Sequence, residues 1–415
     1  MPEFDPARLA DPALFGSPDE AYALYRHLRE VSPIARAQPH GYRPFWVMTR
    51  HANILELERK ADIYEAGPRT VLLPNKVEDI YEARYGNRNG VKPLTHMDGD
   101  YHRAHRAVLV DWFKAKNLKA FEPRIREIAR DFIDRMEDMG GACNFAQDVA
   151  YLFPLRVILT LMGVPREDED MVLGMTQRLL SPADKQLVKR KDPADDSKPR
   201  DVFADFADYF LKLGKTREAD PRNDIVSTIA NSRIDGKPMA RHEMISYYVI
   251  VATAGHDTTA ASIGGGLLGL MRNPDQMAAL KADPTLLATA AEEFVRWTAP
   301  VKHFMRTPNV DVEWHGTTIP AGDAIMLCYA SACRDERVFD APDSFRVARP
   351  ANPAHLAFGS GPHFCMGRPL ANLEIRQFYA EMLPRLKSVD LAGDPTFVES
   401  TFVSGLKDLP ITYTF

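Results

Sequence analysis

The chain has 415 residues, with 52 Lys and Arg against 57 Asp and Glu, so its formal net charge is −5. Hydrophobic residues make up 45% and charged residues 26%. This balance is typical of globular proteins and excludes intrinsic disorder for most of the chain. A slightly acidic chain also lacks the basic character of a general nucleic-acid binder.

The N-terminus has neither the basic nor the apolar region of a secretory signal. Four cysteines are too few for a disulfide framework in a chain of this length, and no Cys/His spacing suggests zinc. The simplest interpretation is a cytoplasmic protein. The apolar run 244–271 is interpreted as a long helix through a soluble core, not as a membrane span, because polar residues 256–259 lie at its centre.

Apolar periodicity and turn residues predict a mainly α fold with a minor β part, forming a single domain over 1–415. Helices are expected over Pro18–Val31, 121–139, 153–162 and 168–180, from Phe203, Ala240 and Leu370 onwards, and after Pro274 and Pro284. The β-rich portions are expected near 30–60, 310–330 and 400–415. We expect an irregular segment at 62–99 and a solvated, charged loop at 185–201.

The strongest chemical signal is the run Phe-Gly-Ser-Gly-Pro-His-Phe-Cys-Met-Gly at 358–367. Its glycines and proline predict a tight loop whose backbone amides can point at the Cys365 sulfur and stabilise a thiolate. A buried structural cysteine is the usual interpretation of such a residue alone. A dinucleotide-binding loop is excluded because Phe364 stands at the third glycine position. Iron–sulfur ligation is excluded because no further cysteine follows Cys328 and Cys333 at ferredoxin spacing.

A second signal, Ala-Gly-His-Asp-Thr-Thr at 254–259, lies within the predicted long helix. Ala254 and Gly255 leave room for a ligand beside the helix. Thr258 is spaced to hydrogen-bond the Ala254 carbonyl, which bends a helix locally. Thr258 next to Asp257 is a hydroxyl–carboxylate pair suited to proton delivery. The alternative is a helix kink with a satisfied aspartate, and His256 is interpreted as packing on a neighbouring helix.

These motifs resemble those of the cytochrome P-450 superfamily, whose ligand loop is F-G-x-G-x-H-x-C-x-G and whose oxygen-activation motif is A-G-x-[D/E]-T. The resemblance covers essentially the whole chain. It implies the cytochrome P-450 fold, with the long central helix over a haem b cofactor, and Cys365 as the thiolate ligand of its iron. Thiolate ligation favours O–O cleavage. The resemblance gives Asp257 and Thr258 the proton-delivery role.

The resemblance also assigns residues that their spacing alone would not identify. Glu293 and Arg296 match the family's E-x-x-R, which recurs by chance on surface helices. They would join Arg349 in a buried ionic network. The family's D-P-P-x-H is Asp-Gly-Asp-Tyr-His at 98–102, so the loop before the histidine departs from the pattern. The implied haem-binding residues are His102, Arg106, Arg306, His363, Ala254 and Phe358.

Among bacterial members, the runs at 252–259, 296–302 and 304–307 resemble the α-terpineol-hydroxylating branch almost word for word. That resemblance implies a monoterpenoid or alkyl-aromatic substrate, although residues 69–95 do not match the branch. A hydrophobic substrate needs an apolar cavity. The candidate walls, for each of which core packing is the alternative, are Leu72, Leu73, Ala254, Val301, Phe402 and Val403.

The implied function is a haem-thiolate monooxygenase that inserts one oxygen atom of O2 into a small hydrophobic substrate. The chain has no room for a flavin domain, so electrons would come from a separate NAD(P)H ferredoxin reductase through a [2Fe–2S] ferredoxin. An acidic ferredoxin would dock by electrostatic steering. The candidate docking cations are Arg103, Lys114, Lys116 and Arg368. The alternatives are a peroxide-driven oxygenase and a non-catalytic haem sensor, and the Asp257–Thr258 pair counts against both.

Overall fold

A computed structural model describes residues 4–90, 92–180 and 202–415. Its helices are α1 (Pro18–Val31), α2 (His51–Arg59), α3 (Asn75–Tyr85), α4 (Gly99–Val110), α5 (Ala115–Asp138), α6 (Leu152–Met162), α7 (Glu169–Leu180), α8 (Val202–Ala219), α9 (Ile225–Ala230), α10 (Arg241–Ala254), α11 (Asp257–Arg272), α12 (Pro274–Ala282), α13 (Leu287–Thr298), α14 (Tyr329–Ala332) and α15 (Arg368–Met382). The charged loop predicted at 185–201 lies outside the described residues.

The strands form one larger sheet and several small ones. They are β1 (Ile34–Ala37), β2 (Phe45–Met48), β3 (Tyr64–Glu65), β4 (Ala142–Asn144), β5 (Arg233–Ile234), β6 (Lys237–Pro238), β7 (His303–Pro308), β8 (Val312–Trp314), β9 (Thr317–Ile319), β10 (Ile325–Cys328), β11 (Ser388–Leu391), β12 (Thr396–Phe397), β13 (Leu406–Asp408) and β14 (Pro410–Thr414). The larger sheet has the order β1-β2-β10-β7-β3, in which only β2 and β10 pair in parallel. The C-terminal strand β14 lies between β11 and β4.

The prediction of a mainly α fold with a minor β part is confirmed. Helix α3 lies inside the segment expected to be irregular. Of its residues only Glu78 is buried, so no apolar stripe marks it as a helix. Strand β7 precedes the expected β-rich portion and is buried along nearly its whole length, so it lacks the alternation that reveals a half-exposed strand.

The central helix is not continuous, which corrects the prediction of one long helix over 244–271. It divides into α10 and α11 at Gly255 and His256. Side chains satisfy the carbonyls that the break exposes: the Thr258 hydroxyl donates to Ala254 (3.1 Å) and His256 Nδ1 donates to Ala252 (2.9 Å). The Thr258 bond has the spacing expected from the sequence, and side-chain donors of this kind interrupt a helix ladder without leaving its carbonyls unpaired.

Glycines let α11 approach α13 closely. A β-carbon at Gly265 would overlap the methyl group of Thr298, and one at Gly266 would lie 2.5 Å from the ring of Phe294. Both neighbours are on α13, and the Phe294 ring is fully buried between α11 and the rest of the core. Because these two glycines have no side chains, the backbone of α11 packs directly against Thr298 and Phe294 of α13.

A buried ionic network joins α13 to the chain beyond α14. The Glu293 carboxylate accepts hydrogen bonds from Arg296 (2.6 and 2.8 Å), from Arg349 (2.8 Å) and from the backbone amide of Arg346 (2.9 Å). The two guanidinium groups also donate to carbonyl oxygens in the segment 333–344. Glu293 and Arg296 are each 1% exposed, so every charge in the network depends on its partners.

Neutralising Glu293 should therefore be strongly destabilising. We expect Glu293→Gln to lower the free energy of unfolding by about 3–5 kcal/mol, because it leaves two buried guanidinium groups without a counter-ion. Urea unfolding of the purified protein measures this. The matched control is Glu127→Gln, whose partner Arg124 lies 2.6 Å away in an exposed pair, so this variant should unfold close to the wild type. Equal losses in the two variants would contradict the structural role of Glu293.

Candidate active site

Cys365 lies in a tight loop immediately before α15. Its backbone amide donates to the Phe358 carbonyl (2.9 Å) and closes the loop. Gly361 adopts a positive φ of 64°, and a β-carbon there would overlap the backbone of Glu58 on α2. A residue with a side chain would therefore be strained as well as blocked at this position. The loop is thus held against α2.

The Cys365 sulfur faces donors and positive charge. Burial raises the pKa of the Cys365 thiol, whereas the backbone amides of Gly367 and Arg368 and the guanidinium groups of Arg106 and Arg368 oppose that rise. Arg106 also donates to the Phe364 carbonyl (2.7 Å), which ties α4 to the loop. These groups are suited to a thiolate, and a bound metal cation would complete its stabilisation.

Two of the predicted haem-binding histidines stack on each other. The rings of His102 and His363 are 4.3 Å apart between centroids, at an interplanar angle of 26°. His363 Nε2 lies 3.8 Å from Asp98, whose carboxylate accepts the backbone amides of Ala66 (2.8 Å) and Gly67 (2.7 Å). Asp98 thus connects the segment before α3 with the Cys365 loop.

Burial and neighbouring guanidinium groups lower the pKa of the histidines at this stack. Burial lowers the pKa of His102 to about 4, with contributions from the positive charges of His363 and Arg106. Burial also lowers the pKa of His96 to about 3, with contributions from His363 and Arg306. His96 was not anticipated from the sequence, although it lies only two residues before Asp98.

Arg306 is turned towards a carboxylate that the sequence did not indicate. Its Nη2 lies 3.6 Å from Glu58 Oε1, which also accepts the hydroxyl of Tyr329 (2.7 Å). Burial raises the pKa of Glu58, while Arg306 and Tyr329 oppose that rise. Glu58 lies on α2, whose sequence pattern is that of an ordinary amphipathic helix and contains no motif that would point to Glu58.

The residues present fit a haem group. His102 Nε2 is buried, and among the described residues it has no hydrogen-bond partner. The guanidinium groups of Arg106 and Arg306 lie close to this stack and can pair with an anionic group. Ala254 is exposed at the end of α10, next to buried residues, and Phe358 is half-buried. A flat apolar ring with two carboxylates would satisfy the unpartnered nitrogen and pair with the guanidinium groups.

The proton-delivery candidates lie at the break between α10 and α11. His256 Nε2 is 2.8 Å from Asp257 Oδ1, and the imidazole packs edge-on against Tyr151 with centroids 5.2 Å apart. Although burial disfavours charge on this ring, Asp257 and the Ala252 carbonyl raise the pKa of His256. The structure thus gives His256 the packing expected of it and also a direct contact with Asp257 that was not anticipated.

Three of the predicted pocket residues lie together. Val301 forms a β-bridge with Val403, and the Lys302 amide donates to the Phe402 carbonyl (2.8 Å). All three side chains, Val301, Phe402 and Val403, are partly exposed. Gly405 lies so close to Ala261 on α11 that a β-carbon would overlap it, which places this loop one helical turn beyond Thr258.

The structure does not support Leu72 as a pocket wall. Its side chain is 5% exposed and belongs to an apolar cluster with residues such as Leu9, Phe15 and Met305. Core packing, the alternative weighed for every wall residue, therefore applies to Leu72. Its neighbour Leu73 is partly exposed.

The candidate docking cations are mostly paired with carboxylates of the chain itself. Arg103 forms an ion pair with Asp100, and Lys114 lies 2.5 Å from Asp111. Arg368 lies 2.7 Å from Glu292. Lys116 is exposed. The net positive potential of this surface is thus lower than the count of its basic residues suggests.

A second cluster braces the Cys365 loop from α13. The carboxylate of Glu292 accepts His355 Nε2 (2.9 Å), Arg368 (2.7 and 3.0 Å) and Asn372 Nδ2 (2.6 Å). His355 precedes the loop, and Arg368 follows it. Burial disfavours charge on His355, but its contacts with Cys333 and Glu292 raise its pKa to about 9. The sequence gave no signal for this cluster.

A family model described as Cytochrome P450 matches residues 75–415, and the chain belongs to this family. Cytochrome P450-terp from a Pseudomonas species is 38% identical to it over 100% of this chain and 98% of that relative. A steroid C26-monooxygenase of Mycobacterium tuberculosis is 32% identical over 100% and 98% of the two chains. The crystal structure of CYP108D1 from Novosphingobium aromaticivorans superposes with a TM-score of 0.90 at 38% identity, covering 98% of each chain.

These comparisons confirm the cytochrome P450 fold, the monooxygenase class and haem b as the cofactor. Among the described residues, none of the helices is both long and apolar enough to cross a membrane.

The His355–Glu292 pair should make stability depend on pH. The pKa of His355 is about 9 in the folded protein against an ordinary 6.5, so its contribution is complete below pH 6.5 and is lost as pH rises through 9. We expect the free energy of unfolding of the wild type to fall by about 2 kcal/mol between pH 6.5 and 9, as His355 loses its proton. His355→Gln should show a smaller fall over the same pH range. Urea unfolding from pH 6.5 to 9 measures this. The exposed His40, changed to Gln, is the control, and an unchanged slope in His355→Gln would contradict the assignment.

Proposed function

We propose that this protein hydroxylates a small hydrophobic substrate, a monoterpenoid or an alkyl-aromatic compound, with O2 and electrons from a [2Fe–2S] ferredoxin served by a separate NAD(P)H reductase. The observation that carries the proposal is the 38% identity to cytochrome P450-terp over the whole chain. The motif runs at 252–259 and 296–302, which resemble the α-terpineol-hydroxylating branch, support the same choice. We further infer a single domain over 1–415 that works in the cytoplasm.

The residues around Cys365 would bind the cofactor. When bound, thiolate-ligated haem supplies the iron chemistry that activates O2 for insertion into a C–H bond. The Cys365 thiolate would ligate the iron, with its charge held by the amides of Gly367 and Arg368. Ala254 would leave room for the ring, and Phe358 would pack beside it. The carboxylate-binding side chains would be His102, Arg106, Arg306 and His363.

Proton delivery would use the break in the central helix. Asp257 holds a carboxylate next to the buried His256, and Thr258 presents a hydroxyl that donates to the Ala254 carbonyl. A hydroxyl that donates its only hydrogen to a carbonyl keeps its lone pairs free, so Thr258 can accept a hydrogen bond from a group on the cofactor side. The partly exposed carboxylate of Asp257 would exchange protons with water.

A steroid is the second candidate substrate. Its support is the set of relatives named steroid C26-monooxygenase, one of which is 32% identical over the whole chain. The two candidates differ in size, so a substrate pocket with Val301, Phe402 and Val403 in its wall would discriminate between them. The peroxide-driven and sensor alternatives predict no requirement for Asp257 and Thr258.

Titration of the ferric protein tests the substrate class. A substrate that displaces water from a thiolate-ligated haem converts the iron from low to high spin and shifts the Soret band. We expect α-terpineol or p-cymene to produce this shift at lower concentration than testosterone. A shift with testosterone alone would replace the proposal with the steroid candidate. A shift with none of the three, in a protein whose reduced carbon monoxide complex shows thiolate ligation, would exclude the proposed substrate class.

Thr258→Ala tests proton delivery. With ferredoxin, reductase and a substrate that shifts the spectrum, we expect product formed per NADH to fall by about 10- to 100-fold, with hydrogen peroxide released instead. Thr253→Ala is the matched control, because Thr253 makes the same four-residue hydroxyl–carbonyl bond (2.8 Å to Val249) and is buried in α10. It should stay close to the wild-type ratio. A Thr258→Ala protein that couples like Thr253→Ala would contradict the role, and full turnover with peroxide alone would favour the peroxide-driven alternative.

A further inference from the structure

His303, the first residue of β7, is a buried histidine with a defined partner on each ring nitrogen. Its Nε2 accepts the backbone amide of Leu72 (3.1 Å), and its Nδ1 donates to the carbonyl of Thr401 (2.9 Å). An amide can only donate and a carbonyl can only accept, so the two partners fix the neutral tautomer with its proton on Nδ1. The side chain is 2% exposed, and burial lowers the pKa of His303 to about 4.

The two partners belong to segments far apart in the chain. The first, residues 69–73, here termed the front segment, contacts β7 through the Met305 amide, which donates to the Thr70 carbonyl (2.8 Å). The second, residues 401–405, here termed the C-terminal loop, pairs with the residues before β7. The backbone amide of Lys302 donates to the Phe402 carbonyl (2.8 Å), and the backbone amide of Ser404 donates to the Pro300 carbonyl (3.0 Å). His303 is therefore the side chain that joins both segments to the start of β7.

Besides these backbone bonds, each segment is held at one end by another part of the chain and at the other end by His303. The front segment begins at Arg69, whose guanidinium pairs with the buried Glu78 (2.9 Å) and donates to the Arg43 and Pro44 carbonyls. Its far end is held by the Leu72–His303 bond. The C-terminal loop ends against α11 at Gly405, and its start is held by the Thr401–His303 bond.

The ring of His303 also continues into the pocket residues. Phe402 packs edge-on against it, with centroids 5.8 Å apart, and Phe304 packs edge-on against Phe402 at 5.3 Å. A shift of the C-terminal loop would therefore move Phe402 and Val403, and the β-bridge would pass the displacement on to Val301. Close-packed rings transmit such a displacement instead of absorbing it.

We propose that His303 is a specificity-determining positioning residue. Through its bonds to Leu72 and Thr401 it holds the front segment and the C-terminal loop at fixed positions on β7, and so sets the relative positions of Val301, Phe402 and Val403. The role of these three residues as walls of the substrate pocket rests on the function proposed above. The position of the two segments does not, and it can be measured separately.

Three substitutions separate the two bonds. His303→Leu removes both. His303→Asn places an amide donor near the position of Nδ1 and keeps the bond to Thr401, whereas His303→Gln places an amide oxygen near the position of Nε2 and keeps the bond to Leu72. His40→Leu, at an exposed position, is the matched control.

Amide hydrogen exchange of the haem-loaded protein, followed by mass spectrometry without substrate, tests the positioning. We expect His303→Leu to exchange faster in both segments, His303→Asn chiefly in the front segment and His303→Gln chiefly in the C-terminal loop. Exchange in α15 should remain unchanged in every variant. If His303→Leu does not load haem, the two amide variants decide the question. Wild-type exchange in both segments of both amide variants would overturn the proposal, and so would equal acceleration throughout the protein.

The ferric spin shift with p-cymene, α-terpineol and testosterone tests the specificity. We expect His303→Leu to reduce the ratio between the dissociation constants of the worst and the best probe by about tenfold. A change of this size corresponds to the loss of buried hydrogen bonds of ordinary strength. His303→Asn and His303→Gln should lie between it and the wild type. A ranking and spread equal to those of His40→Leu would overturn the specificity role. If no probe shifts the wild type, the proposed substrate class fails, while hydrogen exchange still decides the role of His303.

Discussion

Two consecutive carboxylates on α13, those of Glu292 and Glu293, hold the segments that precede and follow Cys365. Glu293 points inward and gathers Arg296 and Arg349, which fixes the chain between α14 and the ligand loop. Glu292 points the other way and gathers His355 and Arg368, which stand on either side of the ligand loop. This turn of α13 thus acts together with α2 and α4, which also contact the Cys365 loop, to position the sulfur. Buried charges suit this task, because a buried ion pair loses much of its energy when its geometry changes.

The opposite wall of the site is formed where the central helix is interrupted between α10 and α11. Gly255 and His256 break the helical ladder, and side chains of His256 and Thr258 occupy the released carbonyls. The break brings a carboxylate, an imidazole and a hydroxyl to one place within an otherwise apolar element. The glycines of α11 meanwhile keep it pressed against α13, so the polar break is held in a closely packed frame.

The chemistry of the site could be read from the sequence where residue type and spacing act locally. The Cys365 loop and the Thr258–Ala254 bond each lie within ten residues of chain, and the structure places each of these groups together. The Glu293–Arg296 pair was assigned by the family resemblance, because its spacing alone recurs on surface helices. The contacts that the sequence did not reveal join distant segments: Glu58 with Arg306, Glu292 with His355, and His303 with Leu72 and Thr401. The packing of Leu72 could not be predicted for the same reason, since an apolar residue in an irregular segment can face either a cavity or a core. Helix α3 was not predicted because only one of its residues is buried, so its sequence shows no apolar stripe.

The pairing of surface cations has a consequence for encounter kinetics. Arg103, Lys114 and Arg368 each stand beside a carboxylate of the chain itself, so the surface carries short dipoles more than isolated charges. The field of a dipole decays faster with distance than that of a single charge, and it is already weak at about 10 Å, the screening length of ordinary buffers. An acidic partner would thus be oriented at close range but attracted little from afar. The association rate would change only modestly with ionic strength, and selection between partners would occur after first contact.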